Sequence, residues 1–406
     1  MSDSSPRLPF KFWVVALVAL INSISFTIII PTLYPYAKEF GLSDFQASLL
    51  TTGFAASQFF GTPILGRLSD RLGRKPLLIL SLLGTVGANA LAAVTPFAWL
   101  LYLARMFDGL TGGNNSIAQA IISDITTPDQ RTQAFGIFGG MFRLGFVLGP
   151  PLAYLAQTLP TLPGVTSLGM SFVVSAVIAL VAAGLCCVFV PETRPPATCS
   201  EFRLSMGDFG FDKLMNSFRD PKLGRVFVMT FLVGSTFTIF TFAYQPFFLN
   251  VLGQDTKNLA ITFVVFGVLA FLAQVFLLEP LRQRISLVNL LVGALLLRGI
   301  LLILFPSFPT ISAFWVILVF FGMVNAFPAP LLDSLVSLRS SEASQGEALG
   351  TNSSYLSISN AVGPAISGLL VSFGYSLPFF VAGGLTVAIA LFALTLRPSD
   401  FTPNVA

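Results

Sequence analysis

The chain contains no histidine, which removes the commonest general base and the commonest metal ligand. Cysteine is scarce: Cys186, Cys187 and Cys199 cluster near mid-chain, without the spacing of a metal site or a disulfide framework. Charge is scarce too. Only 10% of the 406 residues are charged, against about a quarter in soluble domains. No G-x-x-x-x-G-K-S/T loop is present, so nothing points to a nucleotide-driven step. What fills the chain is apolar: 54% hydrophobic residues, 42 of them phenylalanine, with a mean hydropathy of +0.83. Such a surface needs lipid as its main solvent. The net charge of +4 is what basic cytoplasmic loops produce, so nucleic acid is not implied. The first apolar run lacks a small-residue cleavage site and is expected to stay as a helix.

A membrane helix needs about 20 predominantly apolar residues. Twelve segments qualify: 12–30, 46–65, 76–94, 97–122, 134–156, 168–190, 226–248, 259–278, 285–306, 311–332, 348–371 and 376–396. The expected fold is therefore an all-α membrane protein. Its domains are a six-helix bundle over 1–190, a cytoplasmic linker over 191–225 with a short amphipathic helix near 211–218, and a second six-helix bundle over 226–406. With the first residue inside, seventeen basic residues from Arg7 to Arg397 share one side, leaving Lys38 and Lys257 on the other. That bias predicts cytoplasmic termini. A weak repeat relates the halves at a spacing of 214: Gly136, Gly149, Pro150 and Phe107 recur as Gly350, Gly363, Pro364 and Phe321. Related six-helix halves predict a transporter with its site between them, near the midplane.

One segment stands out, running from Gly66 through Arg67, Ser69, Asp70, Arg71 and Gly73 to Arg74 and Lys75. A basic run alone means solvation or headgroup contact. Glycines at either end of a turn and an acid in the middle ask for close backbone approach and a specific charge partner. A faint echo lies at 279–284, where Gln283 stands in for Asp70. Further stretches are Ile28-Ile29-Ile30-Pro31 through Pro35, Arg105-x-x-x-Gly109 through Ile122-Ser123-Asp124-Ile125-Thr126, Gly145-x-x-x-Gly149-Pro150, and Pro191-Glu192-Thr193.

On these residues the chain resembles the major facilitator superfamily, most of all its twelve-helix drug:proton antiporters of the tetracycline-exporter-like branch. The resemblance implies two pseudo-symmetric six-helix bundles working by alternating access. It also implies a conformational latch of Gly66, Asp70, Arg71, Gly73 and Arg74 at the cytoplasmic interface of the halves. Two departures stand out. Ala153 and Tyr154 follow Pro150 where the family has glycines, and helix one holds Asn22, Ser23 and Ser25 where tetracycline exporters carry an acid.

Four ionisable residues lie deep in the expected spans: Arg105, Asp108, Arg143 and Arg298. Each costs roughly 2.5–3.5 kcal/mol at the bilayer centre, so each needs a reason to be there. Arg105 and Asp108 stand three apart and share a helical face, where they can pair. Gly112, Asn115 and Gln119 extend that face into a polar stripe. Asp108 is then either a proton-binding group answering to Arg105 or half of a permanent structural pair. Arg143 has three candidate roles: meeting Asp108, binding an anionic group, or snorkelling. Arg298 is expected to be structural or to meet lipid headgroups. Gly145, Gly149 and Gly363 would admit a neighbouring helix, and Pro150 and Pro364 would permit bending. The expected polar lining of a substrate cavity is Asn22, Ser25, Thr238, Thr241, Tyr244, Gln245, Asn325, Asn352 and Tyr355. Phe26, Phe237 and Phe327 would supply apolar walls, and most other phenylalanines would face lipid.

The leading expectation is a monomeric secondary transporter in the plasma (inner) membrane, exporting a small amphipathic or lipophilic compound against protons, with no cofactor. The alternative is carriage of an anionic metabolite, because three deep arginines face one aspartate. A receptor or membrane enzyme is the third, and no nucleophile motif or metal-ligand cluster supports catalysis.

Overall fold

The structure, a computed structural model, describes residues 8–194, 211–340 and 345–396. Arg7, Arg203, Arg397, Cys199 and part of the expected linker lie outside the described residues. Every regular element among the described residues is helical. The chain divides into two compact units, one of Met1–Gly41 with Gly53–Phe209, the other of Leu42–Thr52 with Gly210–Ala406.

The first unit is built from α1 (Phe10–Ile28), α2 (Ile30–Glu39), most of α3 (Asp44–Leu72), α4 (Arg74–Val94), α5 (Ala98–Thr111), α6 (Asn114–Ile125), α7 (Pro128–Thr158) and α8 (Gly169–Phe189). α1 packs against α7 and α8, and α4 against α5 and α8. Phe12, Val15, Leu78, Leu82, Ile117, Ile121, Phe138 and Cys186 form its buried centre. The second unit contains α9 (Phe211–Phe218), α10 (Gly224–Pro246), α11 (Thr256–Leu272), α12 (Leu278–Arg284), α13 (Leu287–Ser307), α14 (Ile311–Asn325), α15 (Pro328–Arg339), α16 (Gln345–Phe373) and α17 (Leu377–Ala393). Its principal contacts are α10 with α16 and α17, and α13 with α17 and α14. π-helical turns at Phe247–Val251 and Ala273–Leu277 continue α10 and α11.

Nine helical stretches among the described residues are long and apolar enough to cross a membrane, and α17 is a shorter apolar helix. The remaining expected spans fall on α3, rich in Ser, Thr and Gln, and on α5 with α6. The run expected at 97–122 is thus two helices, parted at Gly112 and Gly113. The run expected at 311–332 is likewise two, parted at Ala326 and Phe327. The two breaks sit 214 residues apart, the repeat spacing, but have different local causes. The first uses paired glycines, whose backbone entropy disfavours helix. In the second, Pro328 and Pro330 lack the N–H groups that would continue the ladder.

The phenylalanines also need correcting. Phe240, Phe305, Phe314, Phe321 and Phe379 are buried in the second unit, with Phe240 and Phe321 ring centroids 4.4 Å apart and Phe305 and Phe314 at 5.2 Å. These rings form a core and do not face lipid. The sequence mates Phe107 and Phe321 differ in environment, the first 48% exposed and the second fully buried.

Candidate functional site

The segment from Gly66 to Lys75 is not a loop. Its first seven residues complete α3, Gly73 alone makes the corner, and Arg74 opens α4. Gly73 has φ +104°, in the region that favours glycine. Gly66, expected to allow close approach, has open space where a Cβ would stand, because it lies within the helix and away from neighbours.

Glu192, of the Pro191-Glu192-Thr193 stretch, organises the corner. Its carboxylate accepts the backbone N–H of Arg74 at 2.9 Å and of Lys75 at 3.2 Å, capping the free N-terminus of α4. The acid in Pro191-Glu192-Thr193 was the available signal; only folding brings it beside Gly73. Arg74 is buried and does not reach toward headgroups. Its guanidinium donates to Ser69 Oγ at 2.8 Å and pairs with Asp70 at 2.8 Å and Asp124 at 3.4 Å. Arg194 holds the same Asp70 oxygen at 2.9 Å, and Thr193 donates to Asp124. Arg71 sits in the last turn of α3.

Deeper in the unit, Arg105 Nη1 and Asp108 Oδ2 form an ion pair of 2.8 Å, both side chains almost wholly buried. The guanidinium lies 4.4 Å from the Phe54 ring centroid. The helix break follows one turn later. Its freed carbonyls are satisfied from neighbouring helices: Ser81 donates to Thr111 and Gln58 to Gly112 at 3.2 Å. Asn114 donates to Asn22 at 3.0 Å, and these two with Asn115 line a cavity of about 10 Å³, room for about one water. Gln119 is exposed and outside it, and Arg143 is exposed on α7 and does not reach Asp108. The polar stripe is thus not continuous: Asn115 lines the small cavity and Gln119 does not.

The glycines do admit neighbours. A methyl group added at Gly145 would collide with Ser23, at Gly149 with Thr27, and at Gly363 with Thr238. Thr27 Oγ1 donates to the Gly145 carbonyl at 2.8 Å, and Thr238 Oγ1 to the Ser359 carbonyl at 3.0 Å, joining α1 to α7 and α10 to α16. Pro150 and Pro364 lie within these paired helices.

Several expected lining residues are instead packing contacts. Ser25 is fully buried and donates to the Ser175 carbonyl at 2.9 Å, fastening α1 to α8. Tyr355 stacks on Phe227 and donates to the Leu214 carbonyl at 2.9 Å, holding α9 against α16. Tyr244 is buried among Phe248, Phe263 and Phe314; its hydroxyl lies toward Thr262 without a well-formed hydrogen bond. Asn352 accepts from Thr230 at 2.7 Å and donates to Asp333 at 2.9 Å, so Asp333 belongs to a polar network that hydropathy missed. Thr241 bonds back to the Thr238 carbonyl, Gln245 keeps a buried, unpartnered Oε1, and Asn325 is half-buried. Arg298 does not meet headgroups. It is 1% exposed, donating to the Val233 carbonyl at 3.3 Å and Thr236 Oγ1 at 3.1 Å, with Phe237 6.0 Å away.

Nine long apolar helical stretches among the described residues make this a polytopic helical membrane protein. The model of the Major Facilitator Superfamily matches residues 15–278 and 226–405, and the chain belongs to that family. It is similar to the class H tetracycline resistance protein of Pasteurella multocida, 26% identical over 412 residues that cover 96% of this chain and 97% of that protein. Quinolone resistance protein NorA of Staphylococcus aureus is 24% identical over 373 residues, covering 89% and 90%. Among solved structures, the human organic anion transporter MFSD10 superposes with a TM-score of 0.70 at 22% identity, over 95% of this chain and all of that one. The protein is a multi-pass integral membrane transporter and not an enzyme.

Proposed function

We propose that the protein exports a small amphipathic or lipophilic compound in exchange for protons, by alternating access. The proposal places twelve spans in the plasma membrane as a monomer, with both termini cytoplasmic and no cofactor. The observation that carries it is the Arg105–Asp108 pair, buried at 2.8 Å and one turn from the Gly112–Gly113 break. A proton reaching Asp108 neutralises the carboxylate and frees Arg105, leaving the cation to the Phe54 ring. An uncompensated buried charge is costly, so protonation favours a state in which Arg105 finds water or substrate. The helix break is where such a shift is most easily taken up. The relatives named for tetracycline and quinolone resistance support a drug-like cargo.

The anionic-metabolite reading loses ground. Of its three arginines, Arg105 is paired and Arg298 is buried against α10, which leaves Arg143.

The test is transport in proteoliposomes against a compound panel headed by tetracycline and a quinolone, with pH gradients of both signs. Flux should follow the gradient. Asp108→Asn should abolish uphill transport while sparing counterflow exchange. Flux indifferent to the gradient, or unchanged uphill transport in that variant, refutes the proposal.

A further inference from the structure

At the end of the first unit away from the Gly73 corner, a cleft of about 720 Å³ lies among the end of α2, the α4–α5 connection and the turn before α8. Its size falls in the range of small-molecule sites, roughly 300–1,000 Å³. Its acid is Glu39. One carboxylate oxygen accepts from the Thr166 hydroxyl at 2.7 Å, and that hydroxyl in turn accepts the Gly169 N–H at 3.1 Å. The carboxylate is therefore tethered, yet among the described residues it has no cationic partner. The neighbouring Lys38 lies 5.9 Å from the Tyr34 ring centroid.

The walls are aromatic. Tyr36 is pinned by donating to the Ala92 carbonyl at 2.8 Å, and Phe40 stands edge-on to it, centroids 5.1 Å apart at 84°. From the α4–α5 connection Phe97 and Trp99 also line the cleft, their rings stacked at 6.3 Å and 18° and each more than half exposed. The Thr95 hydroxyl accepts the Phe97 N–H at 3.2 Å and fixes the turn that presents them. Ring faces are negative and attract cations. Carboxylate and rings thus favour one sign of charge, and the same rings favour apolar substituents around it.

We infer that this cleft binds a lipophilic organic cation, an ammonium or phosphonium carried on apolar groups. Glu39 supplies the countercharge and Trp99, Phe97 and Phe40 the apolar box. The ammonium of an ethanolamine headgroup and a free cationic amphiphile share this chemistry. An aromatic belt at the membrane surface accounts for Phe97 and Trp99 alone. It does not account for the tethered carboxylate that lines the same cleft with no cationic partner among the described residues. The inference stands apart from Asp108 and from proton coupling, because its readout is binding.

The experiment titrates tetraphenylphosphonium by calorimetry into the full chain in phosphatidylglycerol nanodiscs, with empty discs as reference. Saturable one-to-one binding is expected, weakened roughly tenfold by Glu39→Gln, as for loss of about 1.4 kcal/mol, and weakened also by Trp99→Leu. Binding at a cargo site elsewhere would ignore both changes. A second arm adds phosphatidylethanolamine. Competition with the phosphonium, together with retained ethanolamine lipid seen by native mass spectrometry and lost in Glu39→Gln, makes the occupant a headgroup. Unchanged affinity makes it a free cation. Absence of saturable binding in ethanolamine-free discs overturns the inference. So does an affinity unmoved in Glu39→Gln, or in Trp99→Leu should the first variant not fold.

Discussion

The two interrupted helices make the most informative comparison in the molecule. α5 and α6 part at a pair of glycines beside a buried ion pair, with Ser81 and Gln58 holding the freed carbonyls. α14 and α15 part at the equivalent position of the repeat, before Pro328, and the Phe321 side chain one turn earlier sits in a packed aromatic core. One break is polar and has a titratable neighbour. The other is apolar and braced. The same geometric device stands in both halves, with a buried ion pair one turn from it in the first, whereas in the second Asp333 lies on α15 beyond the break, is exposed and accepts from Asn352. The buried arginines follow that division: Arg105 has a carboxylate, and Arg298 rests on a carbonyl and a hydroxyl.

Thermal unfolding of the purified protein tests the contrast between the two halves. The largest loss is expected for Asp108→Ala, roughly 3–5 kcal/mol, because it leaves Arg105 buried and unpaired. Joint replacement, Arg105→Met with Asp108→Leu, should recover most of it; no recovery would mean that the pair contributes through something other than its charge. Phe240→Ala in the braced half should cost a similar 3–5 kcal/mol through the cavity it leaves. The repeat mate Phe107→Ala should cost less than about 0.5 kcal/mol, since exposed positions tolerate change.

Next come the glycines, where the halves should agree. Gly149→Val and Gly363→Val should each lose about 1–3 kcal/mol from overpacking. Gly66→Ala should lose nothing and serves as the control, since a Cβ there meets open space and alanine favours helix by up to about 1 kcal/mol. A large loss at Gly66 would show that the segment serves a contact outside its own helix. A small effect is expected at Arg298 as well. Arg298→Met should change stability by less than about 1 kcal/mol or raise it, since Thr236 keeps its bond to the Val233 carbonyl and a desolvated charge is removed. A loss matching that of Asp108→Ala would erase the distinction between the two arginines.

Much of the fold was legible because membrane spans announce themselves by length and hydropathy, which need no partner to be read. Arg105 and Asp108 were legible as a pair because three-residue spacing fixes a shared face whatever surrounds it. The breaks were not. Gly112 and Gly113 are compatible with an intact membrane helix until Gln58 and Ser81, far away in sequence, offer bonds to the carbonyls a break would free. Ser25 and Tyr355 read as cavity polar groups for the same reason: a hydroxyl on an apolar helix looks alike whether it faces water or a carbonyl of the next helix.

Residue order alone is enough to establish that lipid is the main solvent and that Asp108 has Arg105 beside it, and it points to related halves and to a specific use for the acid between Gly66 and Lys75. These follow from composition and helical periodicity, which are local. Packing was needed to show that Gly73 alone is the corner and Glu192 its cap, that Phe240, Phe305, Phe314, Phe321 and Phe379 form a core, and that Arg298 is sheltered while Arg143 is exposed. Those outcomes depend on which distant side chain fills the space beside each group, and that space exists only once the helices have packed.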